Sequence, residues 1–178
     1  TGANGDPVVK TPAFDRLAKM GVRFKHAYTS TPSCTPSRAA LLTGQAFCRL
    51  EEGASLLSTL PAKFQVYPDL LEAAGYRVGV TGKGWSPGDF RPGRRKRNPA
   101  GPGFRSFRQF LEQREGDQPF CFWLGSTDPH RPYKKGSGAA AGIDPAKVHV
   151  PPIVPNAPEI RQDLADYLFE VQRFDSDV

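Results

Sequence analysis

No stretch of the sequence approaches the roughly 20 consecutive apolar residues that a membrane-crossing helix requires, and residues 1–20 lack the basic-then-apolar layout of a secretory leader. No membrane insertion is expected. Cysteine is scarce: Cys34, Cys48 and Cys121 are an odd number without repeated spacings, which argues against a disulfide-stapled fold. Internal repeats are absent, and histidine is confined to His26, His130 and His149. The chain opens on Thr1 instead of Met and stops at Val178 inside an expected helix, so both ends are expected to be cut.

What is present is enough to bury a core: 178 residues, 38% hydrophobic and 24% charged, the balance of one globular domain or part of one. Much of the net charge of +6 falls on Arg91, Arg94, Arg95, Lys96 and Arg97, within a Gly/Pro-rich stretch at 84–103. That stretch reads as a solvated loop, and no nucleic-acid partner is expected. Beside an anion-processing site, the same charge would also attract an acidic polysaccharide.

Periodicity and capping divide the chain into alternating elements. Thr11–Met20 reads as a short helix with Pro12 in its first turn and Gly21 at its stop. Val22–Tyr28 alternates Val22, Phe24, His26 and Tyr28 with polar or small residues, which predicts a strand. A helix is predicted over 36–42, placing Cys34 at a strand-to-helix junction. Tyr67–Ala74 reads as a helix, Tyr76–Thr81 as a strand, Phe104–Glu115 as a helix, and Phe120–Gly125 as a strand buried on both faces. A rigid Pro-rich connector at 151–158 leads to a final helix over 159–178. This order implies an α/β layering with a mostly parallel sheet, in which ligands gather beyond the C-terminal strand ends. Cys34, Lys83 and His130 all fall there.

Cys121, among Phe120, Phe122 and Trp123, has the setting of an inert core thiol. Cys34 is different: polar residues and Pro36 surround it where helix N-terminal amides favour an anion. An ordinary cysteine nucleophile is one reading of that position, with His26 or His130 as its base. His26 alternates with apolar residues and reads as packed structure; His149 reads as exposed.

The run Cys34-Thr35-Pro36-Ser37-Arg38, continued by Ala39-Ala40-Leu41-Leu42-Thr43-Gly44, resembles the signature of the type I sulfatases. Its fixed Cys, Pro, Ser and Arg would meet by chance in only about 1 in 1000 chains of this length. Residues 11–18 and Gly75–Lys83 extend the likeness, which covers most of the chain. The resemblance implies an alkaline-phosphatase-like α/β fold, here incomplete, with residues 1–178 as part of an N-terminal catalytic domain. It also implies that a maturation enzyme oxidises Cys34 to formylglycine, whose hydrate attacks the sulfur of a sulfate ester or sulfamate.

Roles follow from the resemblance residue by residue. Cys34 supplies the nucleophile and, once modified, a metal ligand; Arg38 holds it; Lys83 binds sulfate; His130 binds sulfate or acts as acid/base, a task suited to a residue type that exchanges protons near neutrality. The loop Thr127–Tyr133, with Asn156, Arg161 and Asp163, looks most like the branch that cleaves N-sulfated glucosamine of heparan-type glycans, and Asp128 would contact or protonate the sulfamate nitrogen. Trp85 stands where the family often has His, and Cys48 where a His is also expected. The implied Ca²⁺ takes six to eight oxygen ligands, and the remaining ligands fall outside this sequence, so the isolated chain is expected to be inactive. An extracytoplasmic location follows by resemblance. Other readings are an O-sulfatase, a phosphonate monoester hydrolase of the same fold, and a non-catalytic polyanion-binding module.

Overall fold

The computed structural model describes all residues from Thr1 to Val178, which form two compact units: Thr1–His26 with Ser126–Val178, and Ala27–Gly125. The second contains α2 (Cys34–Thr43), α3 (Tyr67–Ala73), β1 (Arg77–Gly82), α4 (Phe107–Glu112) and β2 (Phe120–Gly125). The first contains α1 (Pro12–Met20), α5 (Ser137–Ala140) and α6 (Pro158–Asp177).

In the Ala27–Gly125 unit, β1 and β2 pair in parallel from Arg77↔Phe120 to Gly82↔Gly125, joined through α4. Alternation along the strands sends side chains to opposite faces. Val80 and Trp123 face Ala39, Leu42, Leu50, Leu60, Val66 and Trp85, the buried core beneath α2. Phe122 faces the other way and meets Phe110 of α4 with ring centroids 4.7 Å apart. Gly79 makes that approach possible, because a Cβ there would lie 2.6 Å from the Phe110 ring. Helices therefore cover both faces of a small parallel sheet, as an α/β architecture requires.

The other unit is organised by α6. Ala165 is fully buried with Ile143 and Val148, and Leu164, Leu168 and Phe169 pack around them. Gly138 of α5 lies so close to α6 that a Cβ would stand 2.2 Å from the Ala165 carbonyl oxygen. Buried Asp166 accepts the amides of Gly136 at 2.9 Å and Gly138 at 2.8 Å. Near the other end of α6, Asp175 accepts the amides of Ala13 at 3.1 Å and Phe14 at 2.8 Å, satisfying donors that the first turn of α1 leaves free. Thr11, the N-cap of α1, makes no side-chain capping bond.

Several sequence expectations are corrected. Val22–Tyr28 is not a strand, and Val22, Phe24 and Tyr28 are 76–88% exposed. Alternation specifies a strand only where a neighbour pairs with it, and the one sheet present consists of β1 and β2 alone. Phe120–Gly125 is half-exposed along most of its length for the same reason: two strands cannot enclose each other. The helix expected over 104–115 is shorter, because Phe104 instead donates its amide to the Val80 carbonyl beside β1, and Ser106 caps α4 by accepting the Gln109 amide at 3.1 Å.

The basic loop also departs from the solvated reading. Arg95 turns inward, donating to the carbonyls of Leu60, Pro61 and Phe64, while Arg97 pairs with Asp69 and Glu72. No helix is long and apolar enough to cross a membrane.

Candidate active site

The site in the Ala27–Gly125 unit starts from the way α2 begins. Ser33 is extended, and the first helical bond runs from the Ser37 amide to the Ser33 carbonyl at 3.0 Å. Cys34 and Thr35 lie in the first turn, whose N–H groups have no helical acceptor and favour an anion. Gly44, at φ 67°, closes the helix. The Cys34 side chain is partly exposed. Thr35 is buried, and its hydroxyl accepts the Gly88 amide at 3.2 Å, tying the turn to the 84–103 loop.

The end of β1 supplies the cation. Lys83 places Nζ 3.4 Å from Cys34 Sγ. Its backbone is fixed by a crossing that only glycines allow: the Lys83 amide donates to the Gly125 carbonyl at 2.7 Å, Gly82 has φ 65°, and a Cβ on Gly82 would stand 2.1 Å from that same oxygen. Arg38, one turn beyond Cys34, donates from Nη1 to the carbonyls of Lys83 at 2.6 Å and Gly84 at 2.9 Å. Its guanidinium carbon lies 5.8 Å from the Trp123 ring centroid. Burial holds Arg38 below the ordinary arginine value, with Cys34 opposing that shift; a guanidinium remains charged regardless.

Trp85 does not enter this site. It is 1% exposed in the core, where its amide donates to Asn98 Oδ1 at 3.0 Å. Cys48 is exposed.

Asp128 and His130 share a loop of the other unit. The Asp128 amide donates to Ser126 Oγ at 3.0 Å, and its nearly buried carboxylate lies 3.1 Å from Arg173 Nη2. Arg173 also donates to Glu170 at 3.1 Å, so one guanidinium serves two carboxyl groups. Burial raises Glu170 above the usual carboxylate range, the hydrogen bond and charge of Asp128 add to this, and Arg173 opposes it. His130 is exposed with Nδ1 2.6 Å from the Arg131 carbonyl. A carbonyl can only accept, so Nδ1 carries a proton there. Arg131 grips Asp163 of α6 and lies over Tyr133 at 4.5 Å, pinning the loop. The Arg131 hydrogen bond holds Asp163 below the usual carboxylate range. Sequence reasoning passed over Glu170 and Arg173; their i, i+3 spacing on a helix was the available signal.

A sulfatase family model matches residues 1–98. The chain belongs to the sulfatase family. N-sulphoglucosamine sulphohydrolase of Homo sapiens is 32% identical over 216 aligned positions, covering 100% of this chain and 43% of that protein. N-acetylgalactosamine-6-sulfatase of Mus musculus is 36% identical over 94 positions, covering 46% of the chain and 18% of its relative. An ulvan-active sulfatase of Formosa agariphila is 42% identical over 83 positions, covering 46% and 16%. The solved structure of Ps i-CgsB in complex with k-i-k-neocarrahexaose matches with a TM-score of 0.64 at 19% identity, covering 99% of this chain and 50% of that one, a likeness of fold. The chain thus spans less than half the length of these curated relatives, and its α/β fold is the corresponding part of a sulfatase fold.

Within that part, no three His, Cys, Asp or Glu side chains converge to hold a metal. Ca²⁺ takes six to eight oxygens, so these residues alone do not fit the ion that the resemblance implies. The surroundings of Cys34, a lysine ammonium and free helix amides, favour a polar group that builds negative charge, and the hydrate of a formylglycine fits there.

Proposed function

We propose that the protein hydrolyses a sulfate ester or sulfamate using a formylglycine derived from Cys34, removing sulfate from an N-sulfated glucosamine of heparan-type glycans. The observation that carries this reading is the 3.4 Å approach of Lys83 Nζ to Cys34 Sγ at the first turn of α2. When formed, the formylglycine supplies an oxygen nucleophile in place of the thiol. Lys83 neutralises a sulfate oxygen, and the first-turn amides of α2 offer further donors as charge builds there. Arg38 holds the Lys83–Gly84 turn by two carbonyls, which aims the ammonium. His130, as the imidazolium, gives its Nε2 proton to the leaving group while its Nδ1–H stays on the Arg131 carbonyl, and Asp128, held by Arg173, accepts a hydrogen bond from the leaving nitrogen.

Under this reading residues 1–178 are part of a catalytic domain, Ca²⁺ completes it, a maturation enzyme converts Cys34, and the location is extracytoplasmic. The heparan-type substrate rests on the likeness to the human sulphohydrolase across the whole chain. A second reading, an O-sulfatase acting on a hexosamine 6-sulfate, is favoured by the likeness to N-acetylgalactosamine-6-sulfatase over 94 residues.

The test uses the natural full-length protein co-expressed with a maturation enzyme. Mass spectrometry of the Cys34 peptide is expected to show formylglycine, and parallel assays should favour N-sulfoglucosamine over a hexosamine 6-sulfate and a phosphonate monoester. Preference for the 6-sulfate moves the assignment to the second reading. An unmodified thiol, or turnover that survives Cys34→Ala, ends both.

A further inference from the structure

The 84–103 loop carries five cations between Arg91 and Arg97, and the structure sorts them into three kinds. Arg91 pairs with Asp89, two residues away. Arg95 and Arg97 point inward: Arg95 binds three backbone carbonyls, and Arg97 closes on Asp69 and Glu72. Arg94 and Lys96, between and beside them, are exposed and pair with no carboxylate. Arg94 sits at φ 62°, which turns the chain there, and its amide donates to the Arg91 carbonyl at 2.9 Å.

The outward pair therefore stands on a fixed base. Both line a cleft of about 440 Å³, within the size range of ligand-binding clefts, about 300–1,000 Å³. The cleft lining holds four cations, Arg94, Arg95, Lys96 and Arg97, against two carboxylates, Asp69 and Glu72, a surplus of two positive charges. Both carboxylates are engaged by Arg95 or Arg97, so the surplus resides on Arg94 and Lys96.

We propose that this cleft binds an anionic group of a sulfated polysaccharide, a sugar of the chain other than the one being desulfated. Charge complementarity selects a polyanion. The lining contains no aromatic side chain, whereas single-stranded nucleic acid is held by stacking its bases on aromatics as well as by charge. The same loop connects the two places. It begins at Gly84, whose carbonyl holds Arg38, and is braced by Asn98, which exchanges hydrogen bonds with the Trp85 backbone at 3.0 and 2.8 Å. The inference rests on the proposed function for its substrate class and adds to it a second contact that only a polymer engages.

The test compares the natural full-length protein with a double variant, Arg94→Gln/Lys96→Gln, and with a charge-keeping control, Arg94→Lys/Lys96→Arg. Loss of two exposed ionic contacts predicts a roughly threefold to tenfold higher KM for a sulfated polysaccharide. KM for a sulfated monosaccharide and the melting temperature stay unchanged, and the control behaves as wild type. On immobilised heparin the double variant should elute at lower salt. Unchanged elution and unchanged polymer KM overturn the inference, as does a single-stranded oligonucleotide that displaces the protein from heparin more strongly than an equally charged sulfated glycan. Heparin retention is read without turnover. An inactive wild type whose elution still depends on Arg94 and Lys96 defeats the proposed function alone, and an active wild type with indifferent variants defeats the cleft alone.

Discussion

Replacing Arg38 with methionine separates two roles that a cation near Cys34 can play. Arg38 gives two hydrogen bonds from one nitrogen to the Lys83 and Gly84 carbonyls, and bonds from a charged donor are worth about 1.5–3 kcal/mol each. Both are only part-buried, so Arg38→Met should lower the stability of the full-length protein by about 2–4 kcal/mol, a melting-temperature drop of several degrees. Lys83 Nζ has Cys34 Sγ as its hydrogen-bond partner and pairs with no carboxylate, so Lys83→Met should leave the melting temperature unchanged while lowering kcat by about 10²–10³-fold, as loss of one preorganised charge does. If Arg38 acts by holding the turn that aims Lys83, the two changes share one effect. Arg38→Met then lowers kcat as well, and the double variant falls no more than about tenfold below the worse single variant. Thermal melts and steady-state kinetics on the three variants read this directly. Multiplicative losses of about 10⁴-fold or more, or an Arg38→Met protein with unaltered melting, would refute the holding role.

Gly82→Ala would drive a Cβ to 2.1 Å from the Gly125 carbonyl oxygen at φ 65°. The crossing is backbone on backbone and cannot relax by a rotamer change, so soluble expression should fall sharply, and a normally melting protein would contradict the geometry. Glu170 is raised by burial beside Asp128. A raised acid keeps its proton when folded over a range where the unfolded chain has released it. Its contribution is therefore full below the unfolded value and lost as pH rises through the folded one. Glu170→Gln should accordingly gain melting temperature relative to wild type as pH goes from about 4 to 7; a gain that shrinks with rising pH has the wrong sign for this cause.

The elements written most plainly in the sequence carry their own punctuation. Pro12, Gly21, Gly44 and Gly75 mark helix starts or stops, and α1, α2, α3 and α6 lie within two residues of where those marks and the apolar period place them. The sequence placed Cys34 and Lys83 at two strand ends, but only Lys83 follows a strand, β1; Cys34 meets it from the first turn of α2. What the sequence left hidden depends on partners. Val22–Tyr28 has strand alternation without a neighbouring strand, and Phe120–Gly125 has the composition of a central strand within a pair. Arg95 departs from the solvated reading for a different reason. An arginine in a run of arginines shows nothing locally of the carbonyls it reaches.

The bond between Asp175 and the first turn of α1 joins residues 162 positions apart. On the ribosome α1 emerges long before its capping carboxylate exists. At about 5–20 residues per second the wait is roughly 8–30 s. During that interval the unit formed by Ala27–Gly125 is complete in sequence and can collapse on its own, whereas α1 exposes unsatisfied amides and an unpaired Phe14 to whatever is nearby. Synthesis of this unit therefore has a vulnerable period that opens with α1 and closes only with residue 175, and chaperone engagement of nascent chains is expected to map to residues 1–26.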